Sequence, residues 1–179
     1  LPCCEMGSGS CSQPRRGDIV VFERPAPDAV RGDLFVKRVV GLPGERVRLA
    51  RNRLVIDGRP VPTRVLDSDT DCLDPNLDGC RCERQAERLG TREIVTQHLA
   101  PPPVNTSVGC VNQAEWPLSD EGREARPEVV VPPGHVLCLG DNRDDSVDGR
   151  SWGFLPLERA RGRAFLRLWP PRRSFEPVR

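Results

Sequence analysis

Short runs of alternating apolar and polar residues, separated by tight polar turns, dominate the first third of the chain. The runs IVVFER and LFVKRVV each follow an Arg-Gly-Asp triplet, and RVRLA leads into RLVIDGRPV. A period of two indicates β-strands, and these corners predict a β-meander. Because 19 prolines and 16 glycines stand beside only 4% aromatic residues, a turn-rich β protein is favoured over a helical bundle.

The middle of the chain loses this pattern. From Pro62 to about Pro127 it carries acidic turns, the mixed stretch ERQAERLGTREIVTQHL and a run of three prolines. Strand patterning resumes at EVVVPPGHVLCLGD and at RGRAFLRLWP. We therefore expect residues 1–61 and 127–179 to form one antiparallel β core, a sheet or barrel. Residues 62–126 would be an inserted, smaller, cysteine-containing domain of strands and loops.

Four of the eight cysteines lie in this middle section: Cys72, Cys80, Cys82 and Cys110. A disulfide in an oxidising compartment is one explanation, and a zinc site is the alternative. Cys80 and Cys82 are separated by one residue rather than the two to four usual for zinc ligands, which favours the disulfide. Cys138, within the apolar run HVLCL, is expected to be a buried small hydrophobic residue.

Charge and hydropathy exclude some classes of protein. With 27 basic and 26 acidic residues the net charge is +1, so there is no electrostatic case for nucleic-acid binding. No uninterrupted apolar run is long enough to cross a bilayer, and the first residues lack a signal-peptide pattern. We expect either a soluble protein or the soluble part of a protein whose anchor has been removed.

The strand LFVKRVV places one cation on each face, since Phe35, Lys37 and Val39 alternate with Val36, Arg38 and Val40. In one interpretation both cations are solvated charges on an edge strand. In the other, Lys37 lies in an apolar environment that lowers its pKa, so that the neutral amine can act as a base.

A second unusual stretch is LGDNRDDSVDGRSWGF, residues 139–154. Its Asp, Asn, Ser and Gly content is typical of a turn or of a calcium-binding loop. The acidic residues do not follow the alternating positions of an EF-hand, and no glutamate closes the loop, so calcium is disfavoured.

Together, GDIVVF, VKRVVGLPGE and VPPGHVLCLGDNRDDSVDGRSWGF resemble the type I signal peptidases, serine endopeptidases with a Ser-Lys dyad. The resemblance covers most of the chain outside the middle section. It implies a signal-peptidase-like β core in which Lys37 is the general base and Ser146 hydrogen-bonds and aims the lysine amine. It further implies an ion-pair network of Arg38 with Asp148 and Arg150, with Asp141 in the same supporting group. Gly149 replaces the serine that many members have there.

The nucleophile follows from the same resemblance. Family members carry a stretch like P-S-x-S-M-x-P-T-L, and the equivalent here is GSGSCSQPRRGD. Ser10 would be the nucleophile, with the Ser8 hydroxyl and the Ser10 backbone amide holding the oxyanion; Ser8 and Ser12 are alternative nucleophiles. Cys11 replaces the methionine and Pro14 falls one place late. A small-residue linker without a catalytic role is the competing interpretation.

The resemblance implies removal of signal peptides from exported preproteins after small residues (Ala-x-Ala), without metal or cofactor. The preprotein would bind as an extended strand along Met6, Gly7, Phe35 and Val36. It also implies an N-terminal anchor in the bacterial cytoplasmic membrane, with the catalytic domain on the outer, periplasmic face. The alternatives are a catalytically impaired signal-peptidase-like scaffold that serves in binding or assembly, and a related Ser-Lys processing peptidase of the conjugation pilin type.

Overall fold

The computed structural model describes residues 13–25, 33–50, 53–72, 77, 79–100, 128–167 and 176–177. Over these residues the chain consists mainly of antiparallel β-strands with one short α-helix, which confirms the predicted fold class. The elements in chain order are β1 (Ile19–Glu23), β2 (Leu34–Gly41), β3 (Arg46–Ala50), β4 (Arg53–Ile56), β5 (Arg59–Pro60), β6 (Thr63–Asp71), β7 (Arg81–Leu89), β8 (Arg92–Leu99), β9 (Val129–Val130), β10 (His135–Leu139), α1 (Gly149–Trp152), β11 (Leu155–Pro156), a 3-10 turn (Leu157–Arg159), β12 (Ala160–Ala164), β13 (Leu166–Arg167) and β14 (Glu176–Pro177).

The sheet that carries the lysine strand is five-stranded, in the order β11-β10-β2-β1-β12. Its strand pairs are antiparallel. β1 and β2 come from the first third of the chain, whereas β10, β11 and β12 come from the last third. Both ends of the sequence therefore contribute to one sheet.

The strands of the first third divide between two sheets, so the predicted single meander is wrong. β1 and β2 pair with each other, but β3 and β4 belong to a second sheet in the order β5-β4-β3-β9. The reason lies in β2, where the neighbouring residues Val39 and Val40 are both fully buried on opposite faces. A strand that buries both faces needs a cover on each side.

Two hydrophobic clusters supply these covers. Val39 packs in one cluster with Val20, Phe22, Val136, Cys138 and Leu155. Val40 packs in the other with Val47, Leu49, Leu54, Val61, Leu89, Ile94, Val131, Leu137 and Leu139. Burying each such side chain contributes about 1.5–3 kcal/mol. Cys138 is fully buried and forms no disulfide, which agrees with its prediction as a buried small residue.

A third sheet, in the order β6-β7-β8, comes from the middle of the sequence. Leu89 and Ile94, on either side of its β7–β8 turn, belong to the second cluster, so this sheet packs against the rest of the protein. Cys72 and Cys82 form a disulfide, and Cys80 is also disulfide-bonded, which confirms the predicted use of cysteine. Cys110 lies outside the described residues.

Within the described ranges, no helix is both long and apolar enough to cross a membrane.

Candidate active site

Lys37 lies where β2 passes from exposed to buried surroundings. Residues 34–37 are exposed or half-buried, whereas residues 38–41 are buried. The lysine amine lies 5.9 Å from the centroid of the Phe35 ring. Burial lowers the pKa of Lys37; Asp148 opposes this shift and Arg150 assists it. The expected lowering of the lysine pKa is therefore present, while the role of Lys37 as a base stays a prediction.

The loop after β10, which we call the GDN loop (residues 140–148), leads into α1 through a buried ion pair. Asp148 caps the helix by accepting from the backbone N–H of Arg150 at 3.1 Å. The Arg150 guanidinium donates to both carboxylate oxygens of Asp148, at 2.9 and 2.7 Å. Burial raises the pKa of Asp148, but hydrogen bonds from Arg150 and from the Gly140 amide outweigh it and lower the pKa overall. Asp148 is therefore a carboxylate at neutral pH.

This pairing explains why burial dominates at Lys37. Asp148 and Arg150 act on the lysine amine in opposite directions and offset one another. Asp141 and Asp145 favour the charged amine, but less strongly than burial disfavours it. The surroundings therefore lower the pKa of Lys37, which makes the neutral, proton-accepting amine more accessible than in an exposed lysine.

Ser146 has a buried hydroxyl with no hydrogen-bond partner among the described residues. The predicted hydrogen bond from Ser146 to the lysine amine is thus not formed. The hydroxyl occupies the space that a side chain at residue 140 would need, since a Cβ on Gly140 would lie 2.1 Å from Ser146 Oγ. Glycine at residue 140 is therefore required for the observed position of Ser146.

Arg38 forms different contacts from those predicted. Its guanidinium donates to both carboxylate oxygens of Asp141, at 2.8 and 2.7 Å, and to the Gly17 carbonyl at 2.8 Å. Asp148 and Arg150 pair with each other instead, so the predicted network is corrected to two separate ion pairs. Arg38 links the segment before β1 to the GDN loop, on the strand face opposite to Lys37.

The first half of β2, which is predicted to pair with the substrate, has one open edge in the described part of the protein. β10 pairs with β2 only from Arg38 to Gly41, so residues 34–37 have no described strand partner on that side. Val36 is 53% exposed, whereas Phe35 packs at 6.4 Å from Phe22. The two predicted substrate-binding residues thus lie on different faces of the strand.

The remaining predicted residues, Met6, Gly7, Ser8, Ser10 and Ser12, lie outside the described residues. The oxyanion donors and the nucleophile stay predictions. No cluster of three or more potential metal ligands is formed by the residues that are described.

Sequence reasoning missed two residues that the structure places behind the site. Arg143, in the GDN loop, is fully buried, and its guanidinium donates to both carboxylate oxygens of Glu87, at 2.7 and 2.6 Å. Glu87 lies on β7, 56 residues earlier in the chain. A lone glutamate in a polar stretch gives no sequence signal for such a partner.

Comparisons with known proteins agree with these observations. The sequence matches the family described as "Signal peptidase, peptidase S26" over residues 5–169. A probable signal peptidase I of Synechocystis sp. is 32% identical over 161 residues, which cover 88% of this chain and 49% of that protein. A signal peptidase I of Pseudomonas fluorescens is 31% identical over an alignment of 196 positions, which covers 99% of this chain and 58% of that protein. The chain thus spans about half the length of these curated relatives.

Proposed function

The chain belongs to the peptidase S26 family of signal peptidases, and on that premise we propose that it is a serine endopeptidase that removes N-terminal signal peptides from exported preproteins. Cleavage would follow small residues, in Ala-x-Ala sites. The observation that carries this proposal is the half-buried Lys37, whose pKa is lowered beside the Asp148–Arg150 pair. A lysine with a lowered pKa can act as the general base that activates a serine nucleophile, a role that histidine has in other serine peptidases.

In the proposed reaction Ser10 attacks the scissile carbonyl and Lys37 accepts the serine proton. The Ser10 amide and the Ser8 hydroxyl hold the oxyanion, each donor lowering the barrier by about 3 kcal/mol. The lysine proton then passes to the leaving amine, and an ester to Ser10 remains. Water, deprotonated by Lys37, hydrolyses that ester and regenerates the serine.

Ser146 is proposed to orient the lysine amine during this cycle. Its buried hydroxyl has no hydrogen-bond partner among the described residues, so it can form a hydrogen bond to another group during the reaction. A buried hydroxyl without a partner is unfavourable, and a hydrogen bond to the Lys37 amine would remove this cost.

We propose that the preprotein binds as an extended strand along β2, pairing its backbone with residues 34–37 on the open edge. Phe35 and Val36 would line one side of the substrate, and Met6 and Gly7 the other. Support comes from the strand order, because β10 pairs with β2 only beyond Lys37.

Residues 1–61 and 127–179 are proposed to form the catalytic core, with 62–126 as the inserted domain. We place the enzyme at a bacterial cytoplasmic membrane, held by an N-terminal anchor, with this domain on the outer face. The Cys72–Cys82 disulfide supports an oxidising compartment.

A catalytically impaired scaffold is the second candidate, because GSGSCSQP departs from the serine motif of the family. The deciding experiment is cleavage in detergent of a preprotein bearing an Ala-x-Ala site, with the cut located by mass spectrometry. We expect the parent protein to cut after the second alanine. Lys37→Met and Ser10→Ala should each lower kcat/KM by at least about 10²- to 10⁴-fold.

Arg48→Met is a matched control, since it removes a partly exposed cation from β3, outside the site. It should leave kcat/KM unchanged. If the parent protein does not cut, even when fused to an N-terminal membrane anchor, the peptidase proposal fails and the scaffold is favoured. If Ser10→Ala still cuts while Ser8→Ala or Ser12→Ala does not, the nucleophile is reassigned.

A further inference from the structure

The GDN loop is attached to the sheet formed by the middle of the sequence. The backbone N–H of Gln97 donates to the backbone carbonyl of Asp141 at 2.9 Å. The backbone N–H of Arg143 donates to the backbone carbonyl of Gln97 at 2.8 Å. The Asp144 carboxylate accepts from the Leu99 amide at 2.7 Å. Residues 141–143 thus lie along β8, where Gln97 and Asn142 form an isolated parallel β-bridge.

A buried side-chain ion pair, Glu87–Arg143, also crosses this junction. The side chains of Glu87 and Arg143 are 2% and 1% exposed, and two short hydrogen bonds join separate guanidinium nitrogens to separate carboxylate oxygens. The Thr96 hydroxyl also lies within hydrogen-bonding distance of Glu87, at 3.2 Å. A bidentate ion pair fixes orientation as well as distance, because both planar groups must be aligned.

His98 lies 3.9 Å from Glu87 but does not compete for its charge. Burial, assisted by Arg143, Arg150 and Arg53, lowers the pKa of His98 to about 3. The imidazole is therefore neutral at physiological pH, and its Nε2 lies 3.1 Å from the Thr96 hydroxyl. Glu87 is left as the counter-ion of Arg143.

From Arg143 the contacts continue to the residues around Lys37. The Arg143 carbonyl accepts from the Arg150 guanidinium, which in turn holds Asp148. Arg143 Nε donates to the Gly140 carbonyl at 3.1 Å, and the Gly140 amide donates to Asp148 at 2.8 Å. A displacement of Arg143 would therefore move both ends of the loop that carries Ser146.

We propose that Glu87 is a positioning residue for the reaction: through Arg143 it fixes the GDN loop, and with it Ser146 and Asp148, against Lys37. This inference rests on the proposed function. It assigns the β6-β7-β8 sheet a part in the active-site framework. Two apolar side chains could fill the same space without burying charge, but they would not set the orientation of the loop.

The test compares Glu87→Gln with Glu93→Gln in the cleavage assay. Glu93 is the matched control, since it lies on β8 of the same sheet and pairs with the exposed Arg64 at 3.5 Å. We expect Glu87→Gln to lower kcat by about 10- to 100-fold. KM should stay within about twofold, because the open edge of β2 is untouched. Glu93→Gln should match the parent protein in both constants.

A double variant separates positioning from folding. Glu87→Met with Arg143→Met removes the charges together and keeps apolar volume, so the fold is retained. It should nevertheless show the same low kcat as Glu87→Gln. Parent-like kcat in this double variant would overturn the inference.

A second readout does not depend on cleavage. Lys37 is the only lysine in the sequence, so carbon-13 labelling of lysine gives one side-chain signal whose titration reports the Lys37 pKa. In Glu87→Gln a loosened loop admits water, and the pKa should rise towards 10.5; in Glu93→Gln it should match the parent. An unchanged titration in Glu87→Gln refutes the inference. A parent protein that never cuts refutes the proposed function, and the lysine titration still decides the positioning role.

Discussion

Lys37 and Arg38 are consecutive residues, yet the fold treats their charges in opposite ways. Arg38 is 5% exposed, and its guanidinium forms two hydrogen bonds with the Asp141 carboxylate. The described contact of the Lys37 amine is the ring of Phe35. An arginine keeps its charge at any pH a protein meets and must be paired when buried, whereas a lysine can lose its proton. Because Lys37 and Arg38 lie on opposite faces of β2, only the face that carries Lys37 can present a general base.

The first prediction concerns the pH dependence of cleavage. Because the reaction needs the neutral amine, kcat/KM should rise with pH through the Lys37 pKa of the folded protein, which lies below 10.5. The measurement is the pH profile of kcat/KM beside the carbon-13 titration of the lysine. A profile whose acid limb does not coincide with the lysine titration would contradict the role of Lys37 as base.

The same pKa shift predicts how stability depends on pH. Below the folded-state pKa both states carry the proton, and folding bears the full cost of burying the charge. Between that pKa and 10.5 only the unfolded state is protonated, so the free energy of unfolding rises with pH; above 10.5 the cost is absent. Lys37→Met should therefore raise the free energy of unfolding above that of the parent protein, most strongly at neutral pH. This difference in stability should shrink as the pH approaches 10.5. Urea unfolding at several pH values checks this trend.

At the scale of elements, the GDN loop depends on a close approach between its two ends. A Cβ on Gly140 would lie 2.6 Å from the Cβ of Ser146, closer than packed atoms approach. The sequence stretch GDNRDDS shows that a turn follows β10, but the contact between residues 140 and 146 appears only once the loop is folded.

The next prediction tests this contact. Gly140→Ala should lower the free energy of unfolding by about 1–3 kcal/mol, because the added methyl group overpacks the loop. It should also lower kcat by displacing Ser146. Gly162→Ala is the control, since no atom lies within 4 Å of a Cβ there and its effect should be small. Denaturant unfolding and the cleavage assay measure the two effects.

Adding Ser146→Gly to Gly140→Ala distinguishes a steric cause from a backbone cause. The double variant removes the clashing side chain, so its stability should return towards that of the parent, while cleavage stays low without the Ser146 hydroxyl. A double variant as unstable as Gly140→Ala would show that the clash is not the cause.

Over the whole molecule, Asp18 joins three parts of the chain. Its fully buried carboxylate accepts from the Arg15 amide at 2.8 Å and lies 2.9 Å from Arg92 of β8 and 3.4 Å from Arg163 of β12. The segment before β1, the β6-β7-β8 sheet and the edge of the five-stranded sheet thus share one negative charge.

We predict that Asp18→Asn lowers the free energy of unfolding by about 1–3 kcal/mol, the cost of leaving buried polar groups unsatisfied. Water reaches Arg92 and Arg163, which are 40% and 27% exposed, and this limits the loss. Asp33→Asn is the matched control, because Asp33 ends the second Arg-Gly-Asp triplet but is exposed. Its effect should stay within about 0.5 kcal/mol in urea unfolding. Equal losses for the two variants would contradict the role of Asp18 as a junction.

Sequence patterns alone predict the alternating strands and the fold class, and they single out the two motifs around Lys37 and the GDN loop. These features are local, since alternation states which side chains share a face and glycine or aspartate marks a turn. β7 and β8 are strands that the alternation did not reveal, because they bury Gln85, Glu87, Thr96, Gln97 and His98 where apolar residues would be expected.

Which buried charges pair with one another depends on the folded arrangement of the strands. Arg38 and Asp141 are 103 residues apart, and Glu87 and Arg143 are 56 apart. Their pairing depends on strand order and register, which bring distant segments together and which no local pattern encodes. The resemblance to signal peptidases predicted that Arg38 joins an ion-pair network with Asp148 and Arg150, yet the structure pairs it with Asp141. Arg38 lies on the face of β2 opposite to Lys37. A buried charge must find a partner, and the geometry of the sheets determines which one.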